Sequence, residues 1–556
     1  MRMRAASAAK SAGLAALTSW SALAIYAFSA SHAEAQDPTP SPVPDFVFAK
    51  TLEAQERQLA GDALLARFAK SRAKLLAEDP HYPRYHFSSP EHRLNDPNGL
   101  SYWRGNWHLF YQGYPPEYPE QHWGHAVSKD LIHWHDLPYA IHPGPEKRVY
   151  SGAVLVEDDR AIAMYHGYTI GNMVATSSDP LLLNWTKLTG QPVIRIPDDP
   201  QNAPYQVFDP SIWKEGDYYY SLSAGVDEKS YPGRQVPQGH LFRSKDLANW
   251  EYLHPFIEGD HFTELGDDLA CPYFLPIGDK HIMLFFSHIT GGQYFLGDYD
   301  TKRQKFVVTD HGKFNHGAYE PSGVHAPSAT SDGKGGVIAI FNMNQGKPDN
   351  GWDQLMTLPR RLWLAKDGTL RQAPAGDVES LRGAHTEVAP MALPANQEIV
   401  LDTISGNTLE IVAEIDPKDA PMVELNLLRS PDAEEVTRLT FYKERGVHQG
   451  RNYYYKREPR RLQSVLSLDV GKSSLSPEVR SRPPETADFY LGKQETLKLR
   501  IFVDRSVVEV FANNKQVLSV RAYPMRADSI GVSLRAQGQD AELLKFDAFE
   551  LKSIYP

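Results

Sequence analysis

The chain has 556 residues and a formal net charge of −11, and no Lys- or Arg-rich tract follows its first residues, which excludes an electrostatic site for nucleic acid or an anionic membrane. Its single cysteine, Cys271, excludes a disulfide or a cysteine-based zinc site within the chain. The high content of Tyr, Phe, Trp, Pro and Gly favours short strands joined by turns, so the sequence predicts an all-β protein of two large domains.

Residues 1–35 are typical of a secretory signal peptide. Arg2, Arg4 and Lys10 precede a mostly apolar stretch, and the small residues at 33–35 fit a cleavage site. A single transmembrane anchor is the alternative interpretation. Together with the scarcity of cysteine, this pattern predicts a bacterial protein that is secreted or periplasmic, without membrane attachment after cleavage.

Residues 36–80 are predicted to form a linker followed by a helical extension. Positions 37–44 are rich in proline, as in an extended and flexible linker. Leu and Phe then recur at helical spacing over residues 51–78, with Ala, Lys, Arg and Glu between them. We therefore expect one helix that packs on the outside of the main domain.

A strand pattern rich in aromatic and apolar residues recurs five times after this extension. The copies are residues 107–114, 161–168, 218–225, 281–288 and 336–343. Three copies are followed by a Ser-x-Asp turn and a tryptophan, at residues 128–134, 177–185 and 244–250. Because a repeat of about 40–60 residues is typical of propeller blades, we predict a five-bladed β-propeller over residues 81–371.

The repeat stops after residue 371. Residues 372–394, which contain a short helical pattern between two prolines, are interpreted as a connector. In residues 395–556, apolar positions alternate at 497–503 and Asn513-Asn514 marks a hairpin turn. This part of the chain is predicted to be an antiparallel β-sandwich.

The segment Asn95-Asp96-Pro97-Asn98-Gly99 is the first candidate for chemistry. Turn residues on both sides of Asp96 would fix the direction of its carboxylate, and aromatic residues close in sequence could wall a pocket. By itself the pentapeptide is better explained as a structural turn. Its meaning therefore depends on the motifs that surround it.

Those motifs together resemble glycoside hydrolase family 32, the family of invertases, inulinases and levanases. They are residues 86–87 (HF), 95–99 (NDPNG), 110–112 (FYQ), 123–126 (WGHA), 128–134 (SKDL with a Trp), 151–152 (SG) and 501–511 (IFVDRSVVEVF). The resemblance implies a retaining β-fructofuranosidase that cleaves sucrose, fructans or related glycosides in a propeller funnel, followed by a β-sandwich. It implies a carbohydrate substrate and neither a metal nor a cofactor.

The resemblance also implies roles for single residues. Asp96 matches the nucleophile, and Asp209 matches the carboxylate that stabilises the transition state through fructose hydroxyls. The positions that match contacts to the fructose ring are Asn95, Gln112, Trp123 and Ser151. For Trp123 a packing role fits equally well.

Two positions depart from the family pattern. Phe208 replaces the arginine of an Arg-Asp-Pro motif, and Ala270 replaces the acid/base glutamate of a Glu-Cys-Pro motif. Asp268 is the first candidate for a replacement acid, because residues two apart in a strand face the same side, about 6.6 Å from each other. Asp267 is the second, and a purely structural role for both in a turn fits equally well. Histidine is a third possibility, since three histidines follow or end the last two repeats, His288, His316 and His325.

Alternative functions remain open at this point. A propeller that keeps Asp96 and Asp209 but has no proton donor could bind carbohydrate without cleaving it. A remodelled pocket could transfer the fructosyl group to another sugar or act on a different furanoside. Product analysis and sugar-binding measurements separate these alternatives.

Overall fold

The computed structural model describes residues 46–228, 235–259, 262–348, 351–443 and 464–556. The predicted signal peptide and proline-rich linker lie outside these residues. No helix in the described part of the chain is both long and apolar enough to cross a lipid bilayer. The described chain is almost entirely strand and turn, as the composition predicted.

Two helices precede the sheets, Leu52–Ala60 (α1) and Ala63–Glu78 (α2). The sequence predicted one continuous helix, but the chain breaks at Gly61-Asp62. There the Asp62 carboxylate accepts a hydrogen bond of 3.0 Å from the backbone N–H of Leu65 and caps α2. A capping residue inside a helical pattern therefore divides the extension in two.

Residues 92–374 form five mainly antiparallel sheets of four or five strands each. Sheet 1 contains His92–Trp103, Asn106–Gly113, His122–Ser128, His135–Ile141 and, in parallel beside the first strand, Trp352–Asp353. Sheet 2 contains Val149–Val156, Ala161–Gly167, Gly171–Ser177, Thr186–Lys187 and Ile194–Arg195. Sheet 3 contains Pro210–Glu215, Tyr218–Ser223, His240–Ser244 and Glu251–Pro255.

The last two sheets complete this domain. Sheet 4 contains Ile257–Glu258, Ala270–Ile277, Lys280–Ser287, Gly291–Asp300 and Lys305–Lys313. Sheet 5 contains Val324–Ser331, Val337–Met343, Leu355–Met356, Arg360–Leu364 and Leu370–Pro374. A two-stranded ribbon, Val226–Asp227 with Val236–Pro237, is inserted within sheet 3.

One strand of each sheet lines the centre of the domain. These inner strands 1 to 5 are His92–Trp103, Val149–Val156, Pro210–Glu215, Ala270–Ile277 and Val324–Ser331. Each contacts the next, and the fifth contacts the first, so the sheets close into a ring. The architecture is that of a β-propeller. The five sequence repeats supply the strands that pair directly with the inner strands.

Four inner strands carry a bulge close to their start. Their pairing with the second strand shifts register between Leu94 and Pro97, Val149 and Gly152, Ala270 and Tyr273, and Val324 and Pro327. A bulge leaves residues outside the ladder and redirects their side chains. The residues released in this way are Asn95-Asp96, Tyr150-Ser151, Cys271-Pro272 and His325-Ala326.

The Ser-x-Asp repeats close the third strand of sheets 1, 2 and 3. In sheet 1, Asp130 Oδ1 accepts hydrogen bonds of 2.9 Å from the backbone N–H groups of Ile132 and His133. In the other two sheets, Trp185 and Trp250 donate their indole N–H to the carbonyl oxygen three residues earlier. The repeat is therefore a turn that the Asp caps and the Trp packs against.

The C-terminal domain is a sandwich of two sheets preceded by the 3-10 turn Val378–Leu381. One sheet contains Arg382–Val388, Met391–Leu393, Thr408–Asp416, Leu497–Asp504, Val507–Ala512, Gln516–Arg521 and Ala541–Leu551. The other contains Glu398–Ser405, Met422–Arg429, Val436–Tyr442, Val465–Lys472, Glu485–Asp488 and Gly531–Gln537. The first two strands of the first sheet lie in the range that the sequence indicated as a connector, because both pair with the last strand of the chain.

A buried carboxylate, Asp504, joins the sandwich to the propeller. It accepts hydrogen bonds from the backbone N–H groups of Arg84, Tyr85 and His86 at 2.8–2.9 Å and lies 2.9 Å from His86 Nδ1. These residues lead directly into inner strand 1. Because a buried carboxylate and buried donors satisfy one another, the sandwich holds the entry to that strand in place.

Replacing Asp504 by alanine is expected to lower the free energy of unfolding by about 3 kcal/mol or more, because three N–H groups, two of them buried, lose a charged acceptor. Chemical denaturation followed by tryptophan fluorescence measures the change. The matched control, Asp402→Ala, removes an exposed carboxylate from the same domain and is expected to cost less than about 0.5 kcal/mol. Equal stability of the two variants would contradict the role of Asp504.

Candidate active site

Four of the residues predicted to form a site meet in one hydrogen-bond network. Asp96 Oδ2 accepts hydrogen bonds from Ser151 Oγ at 2.7 Å and from Gln112 Nε2 at 3.0 Å. Asn95 Nδ2 donates to Gln112 Oε1 at 3.1 Å. Asp96 and Ser151 come from the bulges of adjacent inner strands, whereas Gln112 comes from the strand paired with the first.

His325, from the bulge of inner strand 5, lies beside Asp96. Its Nδ1 lies 3.4 Å from Asp96 Oδ1. Burial raises the pKa of Asp96, but the hydrogen bond and charge of His325, with the hydroxyl of Ser151, outweigh burial and hold that pKa below its usual value. Asp96 is therefore an ionised carboxylate at the centre of the ring, as a nucleophile requires.

Cys271 connects Asp96 with Asp209. Its Sγ lies 3.5 Å from the Oδ2 atoms of both carboxylates, and its backbone N–H donates to Asp209 Oδ2 at 3.2 Å. Because the Oδ2 atoms of Asp96 and Asp209 each lie 3.5 Å from the same sulfur atom, the distance between them is at most twice 3.5 Å. Cys271 has a φ of 47°, a left-handed conformation that is strained for any residue other than glycine. The bulge of inner strand 4 imposes this conformation and turns the N–H and thiol toward the carboxylates.

Asp209 has a second neighbour that sequence reasoning missed. His166 is buried, has its Nδ1 3.0 Å from Asn172 Oδ1, and interacts with the charge of Asp209. Burial and the negative charge of Asp96 raise the pKa of Asp209, and His166 only partly offsets them. An imidazole therefore stands beside Asp209 where the family pattern has an arginine, and burial lowers the pKa of this imidazole. The only sequence signal for His166 was its position at the end of the second repeat.

Phe208 stands where that arginine was expected. Its side chain is exposed and its ring lies 6.1 Å from the ring of His166. Phe208 thus offers an apolar face beside Asp209. Such a face suits the C–H surface of a sugar ring.

Trp123, predicted either to hold the sugar or to pack, is fully buried. Its indole N–H donates to the carbonyl oxygen of Tyr150 at 2.9 Å. Its ring packs against Phe110 and Tyr165, with centroid distances of 5.6 and 5.7 Å. In this arrangement the tryptophan supports the wall behind the site.

Ala270 and the two aspartates before it occupy different environments. The methyl group of Ala270 is buried in a small apolar cluster with Cys271 and Phe286. Asp267 is fully buried, and its two oxygens accept hydrogen bonds from the backbone N–H of Glu264 at 2.8 Å and from Thr290 Oγ1 at 2.7 Å. These bonds tie Asp267 into the loop, and the carboxylate of Asp268 is partly exposed instead.

Both oxygens of Asp268 bind His288. Oδ1 accepts the backbone N–H of His288 at 2.8 Å, and Oδ2 lies 2.7 Å from His288 Nδ1. His316, the remaining histidine considered from the sequence, donates its backbone N–H to Glu485 of the sandwich, and burial lowers its pKa to about 3. The structure therefore brings His288 and His325 to the funnel and places His316 against the other domain.

No group of three or more His, Cys, Asp or Glu side chains in the described ranges is arranged to hold a metal ion. The chemistry of the funnel can be carried by its own carboxylates and imidazoles. Paired carboxylates in a concave polar site are the arrangement with which retaining glycosidases work. Fold and site together therefore define a glycosidase.

The chain belongs to the glycosyl hydrolases family 32. Residues 86–374 match the N-terminal domain of this family, and residues 377–551 match its C-terminal domain. The two matches cover the propeller and the sandwich in turn.

Individual relatives agree with this assignment. A levanase of Bacillus subtilis is 27% identical over 86% of this chain and 71% of its own length. A sucrose-6-phosphate hydrolase of Zymomonas mobilis is 26% identical over 86% of this chain and 94% of its own length. Among solved structures, fructan 1-exohydrolase IIa of Cichorium intybus in complex with 1-kestose has a TM-score of 0.74 at 21% identity, covering 86% of this chain and 98% of that one. A β-fructofuranosidase of Bombyx mori has a TM-score of 0.66 at 24% identity, covering 91% and 100%.

The thiol of Cys271 is expected to resist alkylation in the folded protein. Burial and the charges of Asp96 and Asp209 raise its pKa well above the usual value, and only the thiolate reacts. Iodoacetamide labelling at pH 8, followed by intact-mass spectrometry, should be at least about tenfold slower than in the urea-denatured chain. Since the chain has one cysteine, the denatured sample serves as the control, and equal labelling rates would contradict this environment.

Proposed function

We propose that this protein hydrolyses β-fructofuranosyl bonds in sucrose, fructans or related glycosides with retention of configuration. The observation that carries the proposal is the position of Asp96 and Asp209 on either side of one thiol, with Asp96 kept ionised. The names of the relatives support the same substrate class, because levanases, fructan exohydrolases and sucrose-6-phosphate hydrolases share a fructosyl bond as their target.

In the first step, Asp96 attacks the anomeric carbon of the fructosyl group. The bond to the leaving sugar breaks, and the leaving oxygen takes a proton from a general acid. In the second step, water gives a proton back to that group and displaces Asp96, which releases fructose. Asp209 accepts hydrogen bonds from sugar hydroxyls, and these strengthen as positive charge develops on the ring.

The neighbours of Asp96 support a role in holding the sugar. Asn95, Gln112 and Ser151 supply amide and hydroxyl groups that can exchange hydrogen bonds with fructose hydroxyls. They also hold one another, so their side chains are fixed before substrate arrives. Polar groups that are already fixed in this way can bind the sugar without a further loss of side-chain entropy.

The proton donor is proposed to involve Asp268. Its carboxylate is partly exposed, whereas that of Asp267 is fully buried. Ala270 itself has no proton to give. Because a carboxylate remains in the funnel to take part in proton transfer, we favour an enzyme over a propeller that binds carbohydrate without cleaving it.

The nucleophile proposal is tested by Asp96→Asn and Asp209→Asn. Asp96→Asn is expected to lower kcat on sucrose or levan by at least about 10⁴-fold, since an amide cannot form the covalent intermediate. Asp209→Asn is expected to cost about 10²–10³-fold through weaker stabilisation of the transition state. Release of free fructose is measured. The control, Asp159→Asn, changes an exposed propeller carboxylate and should keep full activity, whereas undiminished turnover in Asp96→Asn would overturn the proposal.

We also propose that the protein acts outside the cytoplasm. The proposal rests on the basic residues, apolar stretch and small-residue site of residues 1–35. When the full chain is expressed in a bacterium, mass spectrometry of the exported fraction should find a mature chain beginning at Gln36. An uncleaved chain confined to the cytoplasm would argue against export.

A further inference from the structure

The His288 imidazole is held in a fixed orientation at the mouth of the funnel. Asp268 binds both its backbone N–H and its Nδ1, at 2.8 and 2.7 Å. A carboxylate on Nδ1 keeps that nitrogen protonated and leaves Nε2 as the nitrogen that can give or take a proton. No described residue forms a hydrogen bond with Nε2, and 61% of the side chain is exposed.

This imidazole belongs to the same side-chain cluster as the nucleophile. Its ring packs on Phe286 with a centroid distance of 4.7 Å, and the ring of His325 packs on Phe286 at 4.0 Å. His325 in turn lies 3.4 Å from Asp96. Phe286 also packs with Ala270, so His288 stands beside the position at which the acid carboxyl is missing.

The charges around His288 favour its protonated form. Burial among its neighbours lowers its pKa, but the hydrogen bond and charge of Asp268, and then the charges of Asp96 and Asp209, raise it above the ordinary value of 6.5. The other titratable groups of this cluster are Cys271, His325, Tyr319 stacked on His325 at 5.2 Å, and the adjacent Glu320. A protonated donor near neutral pH is what general-acid catalysis requires.

We propose that Nε2 of His288 is the proton donor of this site and that Asp268 is the positioning residue that orients it. The inference rests on the proposed fructosidase function and identifies the acid that Ala270 cannot supply. When Asp96 attacks, the bond between the anomeric carbon and the leaving oxygen breaks and Nε2 transfers its proton to that oxygen. When water attacks the fructosyl–Asp96 ester, neutral Nε2 takes a proton from the water and Asp96 leaves as a carboxylate.

Position favours His288 over the other groups that could hold a proton. Asp209 lies beside Asp96 on the Cys271 thiol and is buried. His325 is directly engaged with Asp96. A leaving sugar departs toward solvent, and His288 is the imidazole of this cluster that is open to solvent.

The test compares His288→Gln on two substrates. Sucrose has a poor leaving group that needs a proton, whereas a nitrophenyl β-fructofuranoside releases a stable anion. We expect kcat/KM on sucrose to fall about 10²–10⁴-fold and on the nitrophenyl substrate to fall by less than about tenfold. Because the second step also loses its base, the variant should release a burst of nitrophenol equal to the enzyme concentration. Thermal melting checks that the variant is folded.

A matched control is available in sheet 1. His133 Nδ1 lies 2.7 Å from Asp130 Oδ2, so this pair has the same chemistry in a turn outside the funnel. His133→Gln is expected to retain wild-type activity on both substrates. If His288→Gln keeps sucrose activity within threefold of this control, or loses activity equally on both substrates, the inference is overturned. The proposed function survives that result provided that Asp96→Asn is inactive.

Asp268→Asn tests the positioning role through pH. The protonated form of His288 is active, so kcat/KM on sucrose should fall as pH rises through the His288 pKa, which the structure holds above 6.5. Removing the carboxylate lowers that pKa, so the alkaline limb should move to lower pH while activity at acidic pH persists. Complete loss of sucrose activity at every pH, with the nitrophenyl substrate spared, would make Asp268 itself the acid and overturn the assignment.

Discussion

The convergence of inner strands around one axis is the constraint on which the active site depends. In a regular strand the side chains point alternately to the two faces of the sheet. In a closed ring of sheets those faces are turned toward the neighbouring sheets, so regular strands would not direct several side chains toward one substrate on the axis. Bulges near the starts of four inner strands solve this problem, because each releases residues from the ladder toward the axis. The released residues include Asp96, Ser151, Cys271 and His325, and Asp209 precedes the remaining inner strand.

The sandwich contributes to the same geometry from outside the ring. Asp504 fixes the backbone of residues 84–86, which run into inner strand 1 and its bulge. Arg360 of sheet 5 and Glu509 of the sandwich form a fully buried ion pair across the same boundary. The nucleophile is therefore positioned by two domains, although the described residues that touch it all belong to the propeller.

Most of the fold and the main carboxylates could be predicted from the sequence. The repeats predicted strands because a run of aromatic and apolar residues between turns is a pattern of neighbouring residues. The pentapeptide around Asp96 is also such a local pattern, and it could be recognised in the same way. The conformation of Cys271 could not be predicted, because a bulge is decided by pairing with a neighbouring strand. His166 and the pairing of Asp268 with His288 were missed for a similar reason, since both contacts depend on how distant segments meet in space.

The altered site lacks the fixed charge of the family's arginine and surrounds its carboxylates with titratable imidazoles. Each of its three carboxylates has an imidazole neighbour: Asp96 has His325, Asp209 has His166 and Asp268 has His288. The pairs are not equivalent, because His325 helps to keep Asp96 ionised, whereas burial raises the pKa of Asp209 and lowers that of His166.

The site has lost two residues of the family pattern together, the arginine at position 208 and the glutamate at position 270. Removing one of the two would leave an uncompensated charge in the pocket, whereas removing both preserves the balance. His288, whose pKa is raised, can then supply a proton where the glutamate is missing. The site that results depends on pH at both ends, since Asp96 must remain ionised as pH falls and His288 must remain protonated as pH rises.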